Sequence, residues 1–440
     1  MMRYGLVLTG ILLAGCAGVG QGDGYLPGNE GQKELRLESA EARGMRLDRF
    51  EGYWLGSCVA NWTGLVTEMD RIGQIGEIQT EPFYTRADWG GPDGPNIWDG
   101  GRISRVSPVI DFVLIGPDSV WGADDDTDIE FMYQFLIGEA GHGQLTAEEI
   151  RAGWLRHIER EEENFLWVSN QRAFDLMGEG YLPPETGRLP LNGEFEMIDA
   201  QLTTEIFGLY APGRPERALE LAYLPIRTVA DAEAADIAEF YVTMYSLAAG
   251  AADSAWESDS SVDAVDGVRP EMILGMADRA REDLEEGDYP AAMYDRVRAM
   301  HAGGLSWEAA RDSIYQLYQV RQADGYEMTG RGMYCNGCFA AGINFAASLV
   351  SLFWGGGDFQ ETLKIGVLCG WDSDNPTATW GGMLGYMLGA DGIEAVFGRP
   401  LSRRYDIHRT RRNFPQGGLF DFRELAEQGL RIQQEILSEQ

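Results

Sequence analysis

From about residue 40 onward, apolar positions recur at spacings of three and four, the signature of helices that bury one face. Local start signals place several of them. Thr146-x-x-Glu149 reads as a capping box that opens a helix through roughly Phe165. Residues 214–223, 231–250 and 270–285 read as helices. Ser306 is the expected N-cap of a helix over 306–322. Asp358-x-x-Glu361 opens another near 359–369, and the last begins after Asp421 and runs to about Leu437. Strand signals are few, the best being short runs within 106–115. Residues 82–104 are rich in Gly, Pro, Asp and Trp and predict a long irregular loop, of a length that is uncommon unless it flanks a site. No repeat of fixed period and no strong linker interrupts the chain after residue 40. The expected fold class is all-α, a single large multi-helical domain over 41–440 with few short strands.

Composition narrows the function classes. The 440 residues are 44% hydrophobic and 11% aromatic, enough for a large core and incompatible with a disordered or fibrous chain. Asp and Glu total 70 against 35 Lys and Arg, a formal charge of −35. That field repels phosphate backbones, so nucleic acid is not an expected partner. The N-terminus reads as a targeting segment: Arg3 supplies a positive start, Leu6 to Leu13 a short apolar stretch, and Leu13-Ala14-Gly15-Cys16 is similar to a bacterial lipobox. Residues 1–16 are therefore expected to be a lipoprotein signal peptide and 17–40 a Gly-rich flexible tether. The chain would then be exported and held at a membrane through lipidated Cys16, on the periplasmic side or the cell surface. Of the other cysteines (Cys58, Cys335, Cys338 and Cys369), the Cys335-x-x-Cys338 pair lacks the second ligand pair of a zinc site and the βαβ surroundings of a redox motif. Structural or free thiols are expected, with disulfides allowed in an oxidising compartment.

Two acidic clusters stand out from the general negative charge. The first is Trp121-Gly122-Ala123-Asp124-Asp125-Asp126-Thr127-Asp128, followed by an amphipathic helical pattern. The second is Gly370-Trp371-Asp372-Ser373-Asp374-Asn375-Pro376, in which Asn375 suits an N-cap and Pro376 a first helical position. Gly381, Gly385 and Gly389 follow at every fourth residue and leave a bare helix face that another helix can approach. Each cluster thus enters a helix N-terminus, where the helix dipole favours negative charge. Capping alone would explain one such cluster. Two, each mixing crowded carboxylates with a hydroxyl or amide, call for a screening cation. All-oxygen ligands suit Mg²⁺, Mn²⁺ or Ca²⁺ rather than zinc. The candidate metal residues are Asp124, Asp125, Asp126, Asp372, Asp374 and Asn375. The clusters lie some 250 residues apart, so a shared site requires the fold to join them.

At these residues the chain resembles the ADP-ribosylglycohydrolase family. Gly56 to Glu68 (GSCVANWTGLVTE) is similar to the family's G-x-x-x-G-D-x-x-G-x-x-x-E stretch, and Asp124 to Thr127 to its (S/T)-D-D-T. Asp358 to Gly392 is similar to its D-F-x-x-x-(L/I) … G-x-D-x-D … G-x-x-x-G-A-x-x-G, and Asp199 to Gly213 more weakly to a middle segment. The resemblance spans about residues 45–398. It implies an all-α fold with two Mg²⁺ ions in a cleft, and carries the paired metal aspartates onto Asp125 and Asp126 and onto Asp372 and Asp374. It carries a glutamate over the scissile bond onto Glu68, with Glu205 as the fallback acid or base. The departures are Asp124 in place of a hydroxyl, Asn375 in place of Thr or Ser, and Ala60-Asn61 in place of Gly-Asp.

The implied activity is metal-dependent hydrolysis of an N- or O-glycosidic bond at an anomeric carbon, of an ADP-ribosyl or other ribosyl-like glycoside. Export, and the presence of only Arg102 and Arg105 as cations near the first cluster, keep open a non-nucleotide sugar or polysaccharide fragment as substrate. A non-catalytic binding lipoprotein on the same scaffold is the reading outside the enzyme class. Trp89, Trp98 and Trp121 are candidates to stack on a sugar or base, more readily read as core or loop anchors. His142, His157, His301 and His408 show no ligand or triad spacing.

Overall fold

The structure is a computed structural model that describes residues 39–98, 100–160, 166–258, 268–327 and 334–438. Cys16, the expected leader and nearly all of the expected tether lie outside the described residues. The body begins with α1 (Ala40–Gly64). After the long loop come α2 (Asp125–Ala140), α3 (Ala147–His157) and α4 (Val168–Glu179). Two single turns, α5 (Gln201–Thr204) and α6 (Ile206–Leu209), lead to α7 (Pro215–Ile226) and the longest helix, α8 (Ala232–Ser258). Then follow α9 (Pro270–Ala280), α10 (Tyr289–Ala302), α11 (Trp307–Ile314), α12 (Ala341–Gly355), α13 (Phe359–Cys369), α14 (Asp374–Leu388), α15 (Ala390–Phe397) and α16 (Phe422–Ser438). One antiparallel ribbon, β1 (Arg404–Asp406) with β2 (Leu419–Asp421), pairs Tyr405 with Phe420. The all-α expectation holds. No described helix is long and apolar enough to cross a membrane.

The capping signals behave as their chemistry dictates. The Thr146 hydroxyl accepts from the Glu149 N–H and the Glu149 carboxylate accepts from the Thr146 N–H. Ser306 and Asp358 cap α11 and α13 through the N–H groups of Ala309 and Glu361. Other expectations are corrected. The helix after Thr146 stops at His157, because Ile158 bridges Arg411 and Glu159 donates to the Thr410 carbonyl instead of continuing the spiral. The 306–322 helix turns π-helical over Tyr315–Val320. Residues 106–115 form no strand. Pro108 lacks an N–H, and only Pro92 and Val109 make an isolated bridge. Helix α14 starts one residue before Asn375, with Ser373 at the N-cap. Pro376 still falls in the first turn, where a missing N–H breaks no intrahelical bond. The helix after the first acidic cluster is not amphipathic: every residue from Asp125 to Gln134 is buried. Helix α12, apolar nearly all round, gives no periodic contrast and so no sequence signal.

The contact that organises the fold is α1 against α14. The pair runs antiparallel with backbones almost touching. A Cβ added at Gly56 would overlap the Gly381 carbonyl oxygen, one at Gly52 the Gly385 carbonyl oxygen, and one at Gly64 the Asp374 backbone. On the facing side, a Cβ at Gly381 would strike the Ala60 methyl. The bare face expected of Gly381, Gly385 and Gly389 therefore meets a second bare face, Gly52 and Gly56. Antiparallel packing sets the C-terminal end of α1 beside the N-terminal end of α14.

Replacement of Gly56 by Ala is expected to destabilise the protein by about 1–3 kcal/mol, because the backbone facing it cannot yield as a side chain could. Gly44, on the same helix with open space around its Cα, is the control: Gly44→Ala should be neutral or stabilising by up to about 1 kcal/mol. Denaturant or thermal unfolding of the two variants checks the contrast.

Candidate metal and hydrolytic centre

Three helix ends meet where α1 finishes. Below its last turn, Thr67 donates to the Val367 carbonyl at 2.6 Å, and Ser373 donates to the Gly64 carbonyl at 3.0 Å. Met69 and Trp371 both take the left-handed conformation, at φ 58° each, which is costly for side chains of this size. They are held there by backbone pairing: Met69 N–H to the Trp371 carbonyl at 2.9 Å, and Trp371 N–H to the Arg71 carbonyl at 2.8 Å. The Trp371 indole also donates to Gln319 at 2.8 Å. This double clasp fixes Glu68 on one strand of chain against Asp372 on the other.

The third end is α2. Asp124 caps it by accepting from the Asp125 N–H at 2.8 Å. Asn61, on α1, donates its amide to Asp124 at 3.0 Å and to Asp126 at 2.8 Å, tying α2 to α1. From α14, Asn375 donates to Asp126 at 3.3 Å while its oxygen accepts from Gln201 at 2.8 Å. The Asp372 N–H donates to Asn344 of α12 at 3.2 Å.

The carboxylates fall into two groups of three. Oxygens of Asp124, Asp126 and Asp374 lie within 4.8 Å of one another, and so do those of Glu68, Asp372 and Asp374. Asp374 belongs to both. Its Oδ1 is buried and accepts no hydrogen bond, an orphaned acceptor among like charges. Oxygen-only donors, a shared central carboxylate and an unsatisfied oxygen fit a pair of hard divalent cations. Without a cation, the crowding appears in the acidities. Burial, then the charges of Asp372 and Asp124, push the Glu68 carboxyl well above its usual range. Burial and the charges of Glu68, Asp372 and Asp126 do the same to Asp374, and burial with Asp124 and Asp372 to Asp126. Asp372 rises to about 7, chiefly by burial and then by the charge of Asp199. Ions of opposite sign would reverse these shifts.

The groups open into a cavity of about 390 Å³. Its floor is acidic and its rim aromatic. Trp98 lies parallel to Phe339, with centroids 5.8 Å apart and planes 15° apart, and also stacks with Tyr334 and Trp167. Tyr334 and Phe339 flank a disulfide between Cys335 and Cys338, so a covalently closed turn immediately precedes the rim ring of Phe339.

The structure brings Glu68, Asp124, Asp125, Asp126, Asp372, Asp374 and Asn375 to one cavity, although their sequence positions span some 300 residues. Within it their positions differ. Asp125 lines the wall but belongs to neither three-carboxylate group. Asn375 donates to Asp126 and accepts from Gln201, so it braces a carboxylate of the cavity, and its oxygen keeps a second lone pair. Glu205 does not line this cavity but a smaller chamber behind it. Of the candidate tryptophans, Trp98 reaches the rim. Trp121 is buried with its indole on the Ser402 carbonyl, and Trp89 packs edge-on against Phe112. Neither Arg102 nor Arg105 lines the cavity. None of the four histidines does; His157 is buried against Phe414. Asp128 faces away from its neighbours, in a buried ion pair with Arg411 at 3.2 Å.

Sequence reasoning missed several contributors. Asn61 was visible only as a departure, Asp199 and Gln201 only within a weak segment, and Asn344 and Glu130 gave no signal. Each acts through contacts between elements distant in the chain.

Comparison with known proteins gives the family. Its sequence profile, described as ADP-ribosylglycohydrolase, matches residues 42–427. A solved structure titled "ADP-ribosylglycohydrolase-related protein complex" is similar over 89% of this chain and 99% of its own, at 17% identity and a TM-score of 0.49. No curated protein matches the chain. With the profile running from the first turns of α1 into α16, the chain belongs to the ADP-ribosylglycohydrolase family.

Proposed function

We propose that this protein is a metal-dependent hydrolase that cleaves the bond between the anomeric carbon of a ribose-type sugar and its leaving group. The observation that carries the reading is the sharing of Asp374 between two three-carboxylate groups at the floor of an aromatic-rimmed cavity. Asp124, Asp126 and Asp374 would hold one divalent cation, and Asp372 and Asp374, with Glu68 beside them, a second; magnesium is the first choice, and manganese or calcium fits the same donors. Such ions, when bound, supply a template for vicinal hydroxyls and positive charge where the reaction builds negative charge.

The chain's own residues then have separable tasks. Asn61 and Asn375 hold Asp126 in place. Asn344 anchors the Asp372 backbone. Glu68, at the cavity wall, shuttles a proton. It takes the proton from a water whose oxygen bonds to the anomeric carbon and gives it to the leaving atom, which departs with the bonding electron pair. The rim rings Trp98 and Phe339 stack on the sugar face or on the group attached to it. The Cys335–Cys338 disulfide supports export to an oxidising compartment, the setting that the N-terminal leader implies.

The decisive experiment incubates the magnesium-replete protein with ADP-ribosyl, nucleoside and pentofuranoside conjugates and measures released reducing sugar. Release from at least one ribosyl conjugate, abolished by EDTA, is the expected result. No release from any of them overturns the proposal. Glu68→Gln should lower kcat by about 10²–10⁴-fold with a small change in KM.

A separate expectation concerns binding. Magnesium at a hundred times the Kd of a site should stabilise the wild type by about 2.7 kcal/mol for each ion bound, relative to EDTA. The double variant Asp372→Asn, Asp374→Asn should lose that rise in thermal unfolding.

A further inference from the structure

Behind Asp126 and Asn375 lies a second chamber that the proposed hydrolysis does not use. Its free space is about 10 Å³, room for one body the size of a water molecule. Glu130 and Glu205 line it, with Thr127 and Thr379. Glu205 is only 4% exposed. Its Oε1 accepts from the Thr379 hydroxyl at 3.0 Å, while its Oε2 has no hydrogen-bond partner. Glu130 is better satisfied, accepting from the Ile206 N–H at 3.2 Å and from the Tyr53 hydroxyl.

Charge makes the orphaned oxygen significant. Seven carboxylates line the outer cavity and two more line the chamber, and no Lys or Arg is among the described residues lining either. Two divalent ions in the outer cavity would balance four of these nine negative charges. The inner pair lines only the chamber and belongs to neither three-carboxylate group, so ions held by those groups would not contact it. A buried unpaired carboxylate is costly, so the chamber must take up positive charge from a proton or an ion. Magnesium is a poor occupant, because it retains several waters for which there is no room.

We propose that the chamber binds one desolvated monovalent cation, potassium by size, through Glu205 Oε2, a Glu130 carboxylate oxygen and the Thr379 hydroxyl oxygen. Its charge would lie directly behind Asp126 and favour the ionised form of that side chain. This site goes beyond the hydrolytic reading and is tested without any substrate. Thermal unfolding of the magnesium-replete protein is compared in potassium chloride and in choline chloride at equal ionic strength. A saturable rise of about 2 °C or more with potassium is expected. Glu205→Gln and, separately, Thr379→Val should lose the potassium rise and keep the magnesium rise. Crystals of the wild type grown in rubidium chloride should show anomalous density between Glu130 and Glu205. Absence of a potassium-specific rise, its survival in both variants, or a chamber without anomalous density overturns the proposal and leaves a proton shared by the two glutamates. A chain that hydrolyses none of the tested conjugates could still pass every arm, so the two readings fail separately.

Discussion

Everything chemical in this molecule depends on two helix backbones being able to touch. Where Gly52, Gly56 and Gly64 of α1 meet Gly381, Gly385 and Asp374 of α14, no side-chain layer separates the main chains. Each omitted side chain weakens a helix through lost propensity. The return is positional. With side chains between them, the helices would stand apart by the usual interaxial distance. Glu68 and Asp372, which follow and precede the touching ends, would then separate as well. The clasp between Met69, Arg71 and Trp371 works only at this close approach, and it holds two bulky residues in a conformation they rarely adopt. Packing and local strain are here parts of one arrangement.

Electrostatics pull the other way. Gathering Glu68, Asp124, Asp125, Asp126, Asp372 and Asp374 opposes folding unless something positive joins them. The N-terminal dipoles of α2 and α14 help, as do the neutral donors Asn61 and Asn375. These are partial charges set against full ones, and the raised pKa values of Glu68 and Asp374 go with carboxylates that they do not fully offset. Asn61 stands where the family resemblance has an aspartate. It removes one negative charge from the crowd and replaces repulsion by two hydrogen bonds to Asp124 and Asp126.

Much of this was legible in the residues themselves. Capping chemistry is local, so Thr146, Ser306 and Asp358 announced their helices. The repeated glycines announced a close contact, although not which helix would fill it. The acidic runs announced a gathering of carboxylates that could hold a cation, through their charge density alone. What stayed hidden is what only tertiary packing decides. Asp128 is chemically identical to Asp126 in sequence, yet it pairs with Arg411 because a helix turns successive side chains to different faces. Asn375 looked like a cap, but Ser373 takes that position, and Gln201, 174 residues away, bonds to the Asn375 oxygen. Glu205 looked like a candidate acid or base of the main cavity and lies one wall behind it, since Asp126 and Asn375 line both spaces.

The placement of Asp372 and Asp374 some 250 residues after Asp124 has a temporal consequence. A polypeptide made or threaded from its N-terminus presents Glu68 and the α2 aspartates long before their counterparts exist. Until α14 emerges, the early half of the acidic set has neither its central carboxylate nor the helix face that α1 must seal against. The site is thus assembled only once α14 is in place, and a chain that stopped before it would be left with a concentration of charge and nothing to share it.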